Sequence, residues 1–93
     1  MIYEAFRLLT VRERSRFSKE LGVRMSDVRA SAGVTQVEIA KRMKTSQTAI
    51  ARLESGRRLP TTRTLARFAA AVGRRLVIDF QEIDAPTARR KND

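Results

Sequence analysis

"TQVEIAKRMKTSQTAIARLESG", residues 35–56, contains two helix starts in quick succession. Thr35 stands where an N-cap hydroxyl is wanted, and Glu38 follows in the first turn, where a negative charge favours the positive helix end. The spacing predicts a helix over 36–43, with Ile39 and Met43 inward and Ala40 small where another helix crosses closely. "KTS" turns the chain, and Ser46 caps a second helix over 47–55. Ile50 and Leu53 are its inward residues, and Gly56 ends it in the left-handed position that glycine adopts without strain. Two short helices joined by a tight turn form a helix-turn-helix pattern, in which the apolar contacts lock a steep crossing and push the second helix outward.

The outward side of that second helix carries Ser46, Gln47, Thr48, Ala51, Arg52 and Ser55. A helix that only had to pack would place larger apolar groups there. These residue types suit the major groove of duplex DNA: Gln pairs with an adenine edge, Arg with a guanine edge, and a bare Ala leaves room for a thymine methyl. The helix N-terminus, Gln36, and the cationic exit "SGRR" with Arg57 and Arg58 are suited to backbone phosphates.

On the N-terminal side, Thr10 and Glu13 have capping-box spacing. Phe17, Leu21, Met25, Val28 and Ala32 then mark one helical stripe that Gly33 ends. Gly22 lies off this stripe, either as a tolerated break or as the divide between two shorter helices. Ahead of Thr10, "IYEAFRLL" puts Ile2, Phe6 and Leu9 on one face of a short amphipathic helix, which either caps the protein's own core or meets a partner. On the C-terminal side, Thr61 caps a further helix whose stripe is Leu65, Phe68, Ala69 and Val72, with Gly73 as its stop. "RRLVIDF" then alternates, with Leu76, Ile78 and Phe80 on one face, and reads as a strand. A lone strand leaves its backbone groups unpaired, so the expectation is pairing with the same strand of a second copy, the other possibility being an extended arm. The expected division is an N-terminal helical extension over 1–23, a helix-turn-helix domain over 24–73, a dimerisation strand over 74–80 and a frayed tail over 81–93.

Bulk composition narrows the function. Ninety-three residues make one small domain, and the 42% apolar fraction supports a modest core. The net charge of +10 is concentrated mid-chain, where residues 24–59 hold eight basic and three acidic groups. Charge alone fits either a polyanion-binding surface, with DNA, RNA and an acidic membrane all open, or a solvated surface kept soluble by arginine. No cysteine and no histidine are present, which removes disulfides, thiolate sites and the commonest general base and metal ligand. Asp27, Glu38, Glu54 and Asp79 are scattered over different elements, and no glycine-rich phosphate loop occurs. The expectation is a protein that is no enzyme and uses no cofactor or metal. The absence of a long apolar run or a signal-peptide block leads to an expected cytoplasmic location.

"AGVTQVEIAKRMKTSQTAIARLESGRRLPTTRTLARFAAAVGRRLVIDF" also resembles the Cro/CI-repressor (XRE) helix-turn-helix family. More narrowly, "EAFRLL", "TSQTAIARLESGRRLPT" and "GRRLVIDF" are similar to HigA-type antitoxins, the partners of RelE- or HigB-like mRNA-cleaving toxins. The resemblance implies an all-α, five-helix domain that binds operator DNA as a dimer, represses its own operon and neutralises a toxin. It implies Gln36 on a phosphate and Gln47, Thr48 and Arg52 on base edges. It also implies an ion pair between Arg29 and Glu54 that braces the first helix against the recognition helix. One departure is Lys44, where the family usually has glycine. A turn needing positive φ would cost Lys44 about 1–2 kcal/mol, which a phosphate contact would offset.

Two alternatives stand beside the antitoxin. One is a stand-alone repressor without a toxin; the other is a module that bridges regulators without reading DNA. The polar face from Gln47 to Arg52 argues against the bridge, and Ile2, Phe6 and Leu9 are the candidate toxin contacts that a bare repressor would not need.

Overall fold

The computed structural model describes residues 11–82. Among the described residues there are four helices: α1 (Val11–Ser31), α2 (Gln36–Arg42), α3 (Gln47–Ser55) and α4 (Thr62–Ala71). α3 packs mainly on α1 and α2, and α2 also meets α4. Met25, Val34, Ile39, Ala40, Met43, Ile50, Phe68 and Val72 form the buried core, with Leu21, Val28, Leu53 and Leu65 packed around it. Ile39 and Ile50 are fully enclosed, one from each helix of the helix-turn-helix pair.

The cap chemistry acts where the sequence puts it. Thr35 and Glu38 form a reciprocal capping box: the Glu38 backbone N–H donates to Thr35 Oγ1 at 3.0 Å, and the Thr35 N–H donates to Glu38 Oε1 at 2.8 Å. Those hydrogen bonds from Thr35 hold the Glu38 carboxyl below the usual carboxylate range. Ser46 accepts from the Ala49 N–H, and Thr61 from that of Thr64.

Three features correct the sequence reading. First, an all-α helix-turn-helix architecture is present, but with four helices rather than five among the described residues. Gly22 does not break α1, and no regular element follows α4. Secondly, "RRLVIDF" forms no strand. A strand is held by the ladder to its neighbour, and among the described residues no second strand offers one. Leu76 instead lines a largely apolar recess of 390 Å³ with Leu21, Met25, Val28, Leu65 and Phe68, bordered also by Arg24, Arg74 and Arg75. Ile78 and Phe80 remain 58% and 81% exposed.

Thirdly, the predicted stripe of α1 turns inward only in its middle: Met25 is buried and Leu21 and Val28 pack against the core, but the two ends of the stripe do not. Phe17 is 53% exposed, and Ala32 is also exposed, having passed the helix end. Ser18 and Gly22 are buried beside the stripe, next to Met25. The reason is a backbone-to-backbone approach. A Cβ on Gly22 would lie 2.6 Å from the Glu54 carbonyl oxygen, and one on Gly56 would lie 2.5 Å from Lys19 Cα. Only small residues permit the end of α3 to come that close to α1. Thr10, Ile2, Phe6 and Leu9 lie outside the described residues.

Candidate nucleic-acid interface

The turn between α2 and α3 sets the direction of α3. Met43 ends α2, Lys44 is left-handed with φ 56°, and Thr45 follows. The Thr45 N–H donates to the Ala40 carbonyl at 2.9 Å and the Lys44 N–H to the Lys41 carbonyl at 3.1 Å. This is the Schellman pattern, which requires a left-handed residue at its centre. The same two bonds close α4 through Gly73 and α1 through Gly33. At the α2–α3 turn alone the chain places a lysine there, with its side chain exposed.

Two arginines tie the ends of α2 and α4 together beside this turn. Arg67 of α4 donates to the Met43 carbonyl at 2.6 Å, while Arg42 of α2 donates to the Ala71 carbonyl at 2.7 Å. Each helix thus supplies the cation that satisfies the carbonyl end of the other, where both hydrogen bonding and the helix dipole favour it. Helix periodicity gives no sign of this crossed pair, because the partners are set by how α2 and α4 cross.

A polar chain runs beneath α3. Arg29 forms a two-point ion pair with Glu54, Nε to Oε2 at 2.6 Å and Nη2 to Oε1 at 3.0 Å. Its third nitrogen donates to the Val34 carbonyl at 2.8 Å, fastening the α1–α2 turn to the same group. Gln36 Nε2 donates to Glu54 Oε1 at 2.9 Å, and Gln47 Nε2 donates to Gln36 Oε1 at 3.4 Å. Burial pushes the Glu54 carboxyl up, but Arg29, Gln36 and Ser26 together hold it below its ordinary value. The Glu54 contact raises Arg29 further from an already high value. Glu54 therefore stays ionised, yet its charge is matched by Arg29 and does not oppose an anion at the outer face.

On that outer face Ser46, Gln47, Thr48, Ala51, Arg52 and Ser55 are all exposed, as are Lys44, Arg57 and Arg58. Gln36 is half-buried. The hydroxyls differ in freedom: Ser46 is engaged as the cap of α3, and Ser55 donates back to the Arg52 carbonyl at 2.8 Å. The Arg52 guanidinium forms no ion pair among the described residues. It borders an open cleft with Ala49, Leu53, Arg57 and Arg58, so three cations converge at the C-terminal end of α3. Leu76 borders the apolar recess, and Ile78 and Phe80 are exposed. No group of acidic side chains suited to a metal ion occurs among the described residues.

A helix-turn-helix domain family matches residues 20–76, which takes in α2, α3, the turn between them and α4. The chain belongs to this family. Among its relatives, the ImmF control region 10 kDa protein of Bacillus phage phi105 is 39% identical over 54 residues, 58% of this chain. The aligned part spans 60% of that protein's length. No solved structure matches. The helix-turn-helix match and the phage relative agree with the Cro/CI-like likeness of the sequence; neither bears on an antitoxin. No helix among the described residues is long and apolar enough to cross a membrane.

Proposed function

We propose that this helix-turn-helix protein is a transcriptional repressor that reads double-stranded operator DNA with α3. The observation that carries the proposal is the Gln36–Gln47 hydrogen bond at the start of an exposed polar helix face. Gln36 is oriented by Glu54, and it in turn orients the Gln47 amide. One Gln47 N–H is then occupied, while its other N–H and its carbonyl oxygen stay available as the donor–acceptor pair that an adenine edge complements. Arg52 supplies the guanine-reading fork, Thr48, Ala51 and Ser55 shape the surface between them, and Ser46 opens the helix. Gln36, Lys44, Arg57 and Arg58 take backbone phosphates.

The antitoxin reading rests on the HigA-like stretches and on Ile2, Phe6 and Leu9. The phage control-region relative favours the stand-alone repressor, which needs no toxin. In either case the binding unit is a pair of copies, since one domain covers a single half-site. The exposed Val77, Ile78 and Phe80 provide an apolar seam for that pair without a strand ladder.

The test is selection of bound duplexes from a random pool, followed by titration of Arg52→Ala. The variant is expected to lose about 1–3 kcal/mol at one base pair and to accept other bases there. Equal losses on selected and random duplexes would refute direct reading by Arg52. Ile78→Asp is expected to abolish self-association in sedimentation, and an unchanged profile would move the seam elsewhere.

A further inference from the structure

The family match begins at residue 20, whereas α1 begins at Val11. The first turns of α1 therefore lie outside the matched residues, on the same continuous helix. Arg12, Arg16 and Lys19 fall there at i, i+4 and i+7, so they share one stripe, and all three are exposed. Like charges one turn apart weaken a helix, and here three are kept in register. Glu13 and Glu20, also seven apart, border this stripe on one side, three and four positions from Arg16.

The position of this cationic stripe decides its meaning. The close approach of Gly56 to Lys19 Cα and to the Ser18 carbonyl sets the α1 backbone against the residue that precedes Arg57 and Arg58. Lys19 thus adjoins the cationic exit of α3, and Arg16 and Arg12 carry the positive surface onward along α1. Seven residues of helix rise about 10 Å. One DNA strand advances about 3.4 Å per phosphate, so the stripe spans about three of them.

We propose that the N-terminal half of α1 is a second DNA-contact element, in which Arg12, Arg16 and Lys19 grip backbone phosphates flanking the bases read by α3. This rests on the reading of α3 as the recognition helix. The contact is independent of sequence, because the stripe offers charge to phosphates and reaches no base edge.

The experiment uses the full chain, the duplex selected from a random pool, and the same duplex lengthened by arbitrary flanking base pairs. Wild-type protein is expected to bind the lengthened duplex more tightly than the short one. The triple variant Arg12→Gln/Arg16→Gln/Lys19→Gln is expected to lose that gain and to keep the same base preferences. Three fewer phosphate contacts make the log–log salt slope shallower by about 2.7. Between about 50 and 200 mM salt the wild type should then lose about 40-fold more affinity than the variant. Circular dichroism checks that α1 persists, and lysine in place of Arg12 and Arg16 should preserve the slope. An unchanged slope with α1 intact overturns the proposal and marks the stripe as a solvated surface or an acidic partner's site. If the wild type selects no sequence at all, the reading of α3 fails instead. The slope comparison on random duplexes still decides the role of α1.

Discussion

Replacing Gly22 with alanine sets helix propensity against close packing. Within α1, alanine is favoured over glycine by about 1 kcal/mol, so a local argument predicts a more stable protein. The added methyl, however, would sit 2.6 Å from the Glu54 carbonyl oxygen and 2.9 Å from the Gly56 nitrogen. Carbon–oxygen approaches close to about 3.3 Å at their tightest, so α1 and the end of α3 must part by at least ~0.7 Å. Both neighbours are backbone atoms, held by the Arg29–Glu54 pair and by the left-handed Gly56, and cannot swing aside as a side chain would. Overpacking of this kind costs about 1–3 kcal/mol, and the rigid neighbours put this site at the upper end. Setting about 3 kcal/mol of strain against the propensity gain leaves the variant about 2 kcal/mol less stable. In a domain of this size that lowers Tm by roughly 10 °C. Urea unfolding followed by circular dichroism measures it directly. A variant as stable as the parent, or more so, would refute the claim that Gly22 exists for the α1–α3 approach.

Other substitutions test the turn and the polar chain. Lys44→Gly is expected to raise stability by about 1 kcal/mol in thermal melts, because the left-handed penalty exceeds the extra unfolded-state entropy of glycine. The same change should weaken DNA binding if Lys44 meets a phosphate, so stability and affinity would move in opposite directions. Glu38 and Glu54 both have lowered folded-state values, so their contributions are fully present above the unfolded carboxylate value and are lost as pH falls through the folded ones. Stability should therefore decline in acid below about pH 4.3, the ordinary carboxylate value. Glu54→Gln should flatten part of that decline in pH-dependent urea melts. It should also cost about 3 kcal/mol near neutrality, since it leaves the enclosed Arg29 without a counter-charge. An acid limb of unchanged steepness would show that Glu54 is not its source.

The Arg29–Glu54 pair matters for geometry more than for net stability. Enclosed ion pairs return little after desolvation. Here, though, the carboxylate orders Gln36 and through it Gln47, while Arg29 also fastens the α1–α2 turn. One charge pair thereby links three helices to the first residue of α3.

What the sequence determined alone was local in origin. Thr35, Ser46 and Thr61 announced three helix starts because a cap bonds within three residues of itself. Ile39, Met43 and Ile50 were legible as core, and Gln47 to Ser55 as an outer polar face, because helical spacing sorts neighbours without reference to the rest of the chain. Only the tertiary structure decided how far the inward face of α1 extends and what lies against it. Leu21, Met25 and Val28 of the periodic stripe do pack inward, but Phe17 does not, and Ser18 and Gly22 are buried as well, since another backbone arrives there. Likewise Arg42 and Arg67 reach carbonyls 29 and 24 positions away, and no local pattern encodes such a partner. The alternation at Leu76, Ile78 and Phe80 was a true pattern with a different outcome. A strand exists only when a neighbour accepts its hydrogen bonds, and the described chain offers an apolar recess for Leu76 in place of one.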